Sequence, residues 1–113
     1  MTKSPMPATD DEKIRRLQHR IEHEIRQINH ATIGEATGPI TLADYTAVAR
    51  MVSNLRARYL KAAIDLGKAN PDACLSLTHT DELRELRIAY QEALQGFEAL
   101  EHALRRGYVT LDA

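Results

Sequence analysis

The chain has 113 residues, 43% of them hydrophobic and 27% charged, which fits one soluble domain with a modest core rather than a disordered chain. Fifteen basic and sixteen acidic side chains leave a net charge of -1, without the basic excess that nonspecific nucleic-acid binders and membrane-surface proteins carry. A single cysteine, Cys74, excludes an intramolecular disulfide framework and fits a reducing, cytoplasmic setting.

Aromatic residues make up only 4% of the chain, with no Trp and one Phe, so the composition favours helices filled by Leu, Ile, Val and Ala over sheets. The polar start, Met1 to Ala8, lacks the apolar core of a secretory signal. No apolar run approaches the ~18 residues a membrane span requires.

Residues 1–8, with Pro5 and Pro7, are expected to form a disordered N-terminal tail ahead of a domain spanning 9–107. Thr9-Asp10-Asp11-Glu12 has the form of a capping box with acids where the helix dipole favours them. A first helix over about residues 10–33 follows, carrying Ile14, Leu17, Ile21, Ile25 and Ile28 on one narrow stripe. Gly34 is the expected stop.

Thr41 and Asp44 repeat the capping pattern, with Ile40 and Tyr45 spaced as a hydrophobic staple. The second helix, about 41–68, places Tyr45, Val48, Val52, Leu55, Tyr59, Ala62 and Leu66 at alternating steps of three and four. Pro71 disfavours helical geometry in Asn70, which is positioned to cap one further turn, with Leu75 and Leu77 plugging the open end.

A third helix over about 79–106 starts between Thr78 and Asp81, depending on which threonine caps it, and ends at Arg105-Arg106-Gly107. Leu83, Leu86, Tyr90, Ala93, Phe97, Leu100 and Leu104 repeat the same stepping. Two such seams joined by a short loop predict an antiparallel hairpin, and with the first helix an all-α three-helix bundle. The C-terminal tail, 108–113, holds Tyr108, Val109 and Leu111 and is apolar enough to dock back or to engage a partner.

The second helix has a further apolar arc of Leu42, Ala49, Leu60 and Ile64, roughly 100–160° round from Val48. Either the first helix covers this arc, making the second helix central, or the arc is a self-association surface through which a homodimer forms. Arg50, Arg58, Lys61 and Lys68, with Asn54, lie away from the seam. Thr41–Lys68 holds five basic and two acidic residues, a local charge of +3. Asp81–Arg106 holds six acidic and four basic, a local charge of -2. This imbalance serves helix–helix attraction or an acidic protein segment or phosphate ligand.

His19, His23 and His30 fall within a ~40° arc opposite the isoleucine stripe, the expected solvent face of the first helix. Spacing by four and seven suits a divalent metal, with Glu12 and Glu22 in reach, but a polar face of ordinary composition is the favoured explanation. Arg16, Arg20, Gln27, Ser76 and Ala99 precede the five histidines by three positions, so no Glu-x-x-His di-metal motif is present. Cys74 has no aligned base to activate it, and no phosphate-cradling glycine loop occurs.

The expected function is therefore a non-enzymatic helical protein–protein interaction module, without a cofactor, using Leu42, Ala49, Arg50, Arg58, Leu60, Lys61, Ile64 and Tyr108. Competing readings are a metal or small-ligand binder on the His19–His23–His30 face and a nucleic-acid-associated regulator on the basic face of the second helix. Nucleic acid is the weaker partner, because neither a helix-turn-helix spacing nor an exposed aromatic platform is present.

Overall fold

Three long helices carry the chain: α1 (Asp10–Thr37), α2 (Leu42–Ala69) and α3 (Leu77–Arg105). Two short strands, β1 (Ile40–Thr41) and β2 (Leu111–Asp112), flank the α2–α3 segment. The computed structural model describes residues 9–72 and 76–112. Leu75 and Cys74, with the tail expected over 1–8, lie outside them.

α2 packs along α3, and its sequence explains why. Each seam position from Tyr45 to Leu66, and each from Leu83 to Leu104, is buried or half-buried, while the positions between them are mostly exposed. Val52 sits deepest, at 7% exposure. Near the start of α2, Tyr45 meets Phe97 late in α3, with ring centroids 5.3 Å apart. Further along α2, Tyr59 stacks on Tyr90 at 6.3 Å. Arg56 donates from Nε to the Tyr90 hydroxyl at 2.9 Å and lays its guanidinium 5.2 Å from that ring centre.

Both predicted N-caps form. The Glu12 amide donates to Thr9 Oγ1 at 3.2 Å. At α2 the box is reciprocal: Thr41 N–H reaches Asp44 Oδ2 at 2.9 Å and Asp44 N–H reaches Thr41 Oγ1 at 3.1 Å. α3 begins earlier than expected, because Ser76 accepts from the His79 amide at 3.2 Å and takes the capping role assigned to a threonine. Asn70 closes α2, its amide and Nδ2 both donating to the Leu66 carbonyl, and the further turn expected from Asn70 runs on into Ala73, outside the described residues. Leu77, at 84% exposure, plugs nothing.

α1 departs most from expectation. It runs through Gly34 to Thr37, and Gly38 (φ 63°, ψ 178°) ends it, its amide donating to the Gly34 carbonyl at 2.8 Å. Only four residues then separate α1 from α2, and two of them are held in β1. β1 pairs in parallel with β2, Ile40 opposite Leu111 and Thr41 opposite Asp112, an element no periodicity foretold. The adjoining Val109 is buried to 3% exposure, so the tail docks back on the chain. The extended backbone at Gly38 and the pairing of β1 with β2 set the direction in which α1 leaves, and α1 does not run back along α2.

α1 accordingly makes only sparse contact with α2 and α3. The longest extent of the molecule is 87 Å. That is about twice the ~42 Å length of a 28-residue helix, so α1 extends beyond the α2–α3 pair. The expectation that the first helix covers the second is corrected: Ile14, Leu17, Ile21, Ile25 and Ile28 are each 46 to 59% exposed.

Candidate interaction surface

The outer arc of α2 lies open. Leu42, Leu60 and Ile64 are exposed and Ala49 is half-buried, with Thr46 turned to its own helix through hydrogen bonds to the Leu42 and Ala43 carbonyls. These positions fall off the α3 seam because the three-four stepping of Tyr45 to Leu66 uses the only face of α2 that α3 reaches.

The basic residues of α2 divide into separate settings. Arg50, Asn54 and Arg58 share a shallow groove of about 550 Å³, floored by Ala47, Met51 and Leu55. Lys61 is drawn to Asp65 at 3.1 Å, one turn on, an exposed pair worth at most a few tenths of a kcal/mol. Lys68 lies in the last turn of α2, where it complements the helix dipole. Arg56, not singled out by charge counting, is the cation that crosses to α3. Its signal was its position beside the Tyr59 seam residue.

At the other end, the histidine face of α1 meets the end of α3. His30 Nδ1 donates to the Gly107 carbonyl at 2.8 Å, since a carbonyl oxygen can only accept. His23 and His30 line one hollow of about 450 Å³ with Arg26, Gln27, Arg106 and Gly107. Beside it, Glu22, Ile25, Arg26, His102, Arg106 and Tyr108 line another of about 400 Å³. Tyr108 is half-buried there, edge-on to His102 with centroids 6.4 Å apart, so it belongs to this corner. His19 remains exposed. Among the described residues, no group of three or more His, Cys, Asp or Glu side chains is arranged to hold a metal ion.

The face of α1 directed at the rest of the chain is thus the one expected to face solvent, and the isoleucine stripe lies largely on the other side, with Ile25 at its edge lining the second hollow. Sequence reasoning assigned that stripe to the core and overlooked it as a surface. A signal was present: its steps of three, four, four and three do not share the strict alternation of the α2 and α3 seams.

No helix among the described residues is long and apolar enough to cross a membrane. No protein-family model matches the chain, and no curated protein or solved structure proves similar to it.

Proposed function

We propose that this chain is a non-enzymatic helical interaction module, a self-associating subunit built on an antiparallel α2–α3 hairpin and working in a reducing compartment such as the cytoplasm. The hairpin reading is supported by the order of the ring pairs, Tyr45 with Phe97 and then Tyr59 with Tyr90. The observation that carries the functional reading is the amount of apolar helix surface left open: the α1 stripe and the Leu42, Leu60 and Ile64 arc of α2. An amphipathic helix draws most of its stability from covering its apolar face, so such faces call for a covering chain.

The α2 surface suits a protein partner with an apolar ridge and acidic flanks. Leu42, Ala49, Leu60 and Ile64 supply the apolar arc, and Arg50 and Arg58 supply cations beside an apolar floor. Lys61 and the corner residue Tyr108 extend the proposed contact set. Replacing Leu60 or Ile64 by Asp tests the reading. The expected result is a changed sedimentation mass or lost partner binding with far-UV helicity retained. Loss of helicity in both variants would place these residues in the core and overturn it.

A further inference from the structure

We infer that α1 is a homodimerisation helix, pairing antiparallel with α1 of a second copy about a two-fold axis at Ile21. This deepens the interaction-module reading and rests on it.

The spacing sets the register. The exposed apolar residues Ile14, Leu17, Ile21, Ile25 and Ile28 stand at -7, -4, 0, +4 and +7 relative to Ile21. Reversing the helix about Ile21 maps the set onto itself. Ile14 of one chain meets Ile28 of the other, Leu17 meets Ile25, and Ile21 meets its own copy. A slip of one turn leaves an isoleucine at each end without a counterpart. A self-complementary patch of this kind is what an isologous two-fold interface requires.

Charge selects the same arrangement. Arg20 and Glu24 flank the stripe on one side, one turn apart. In the reversed pair, Arg20 comes beside Glu24 of the partner subunit, and the symmetry repeats this contact. The acidic first turn, Asp10, Asp11 and Glu12, lies at opposite ends of the pair, and the helix dipoles oppose. A parallel pair would bring both acidic turns together.

The rest of the fold leaves room for the second copy. The isoleucine stripe is centred on the far side of α1 from His30, which is bonded to Gly107, and Ile25, at the edge of the stripe beside the His102–Tyr108 corner, keeps 48% exposure for the partner. Five half-exposed Ile and Leu side chains on each chain, with their flanking stems, bring the buried area to about the 1,000 Å² that marks a specific interface.

The test uses the full chain with Cys74→Ser as background and single cysteines joined by mild oxidation or a short bis-maleimide. Ile21→Cys is expected to link to itself in most molecules. Ile14→Cys and Ile28→Cys are expected to link when mixed, and neither to link alone. Ile21→Asp is expected to sediment as one chain with the helicity of α2 and α3 kept. Self-linking of Ile14→Cys would mean a parallel pair and overturn the inference. Association without any of these links would place the dimer on another face, sinking the inference while leaving the interaction-module reading intact. A single-chain mass for the Cys74→Ser protein up to ~100 times a micromolar concentration would remove both the second copy and the self-associating reading.

Discussion

Gly34 and Gly38 show how little separates a helix that stops from one that continues. Gly34 was the expected stop, but Glu35 and Ala36 are good helix formers and carry α1 past it. A β-carbon added at Gly34 would lie 3.7 Å from the Tyr108 carbonyl oxygen, an ordinary contact. Gly34→Ala should therefore raise stability by about 0.5–1 kcal/mol, mainly by restricting the unfolded chain. Gly38 combines φ 63° with ψ 178°, a region essentially reserved for glycine. Gly38→Ala should cost about 1–3 kcal/mol, and urea midpoints of the two variants should move in opposite directions. The capping threonines Thr9 and Thr41 were legible because a cap is a local pattern of four residues. Ser76 was missed because Thr78 and Thr80 offered the same chemistry two and four positions on.

Among the helices, the seams of α2 and α3 were legible residue by residue because each position recurs with the helical period and has one partner surface. The ring pairs follow from that register. Phe97→Ala removes the ring packed on Tyr45 and should lower stability by about 2–3 kcal/mol, less than for a fully buried aromatic because Phe97 is only half-buried. The loss should appear in thermal and urea unfolding alike. The face of α1 was not legible in the same way. An amphipathic pattern states that a stripe such as Ile14–Ile28 must be covered, and it is silent on which chain covers it. For the candidate surface, the open arc of α2 and the Arg50–Arg58 grouping were readable from angles round the helix. The diversion of Lys61 to Asp65 and the placement of Tyr108 at the α1–α3 corner depended on side-chain reach and on the tail.

At the scale of the whole molecule, an 87 Å body with two open apolar faces should be more stable in company than alone. If a second copy binds only the folded chain, the thermal midpoint should rise with protein concentration, and scans across a hundredfold range should differ by several degrees. A midpoint independent of concentration would speak for a self-sufficient monomer. The reach of α1 beyond the α2–α3 pair was hidden from the sequence because it depends on residues far apart in the chain: β1 is held by β2. That pairing also orders the assembly of the fold in time. Joining Ile40 to Leu111 closes a loop of about seventy residues, an entropic cost of about 4 kcal/mol that a two-residue ladder cannot offset by itself. Once α2 and α3 have zipped, the two ends already lie close and the clasp closes cheaply, so it belongs to the late side of the folding barrier. Val109→Ala, costing about 2 kcal/mol, should then speed unfolding roughly thirtyfold and leave the refolding rate almost unchanged. The first helix written in the chain thus takes its direction from the last residues to settle.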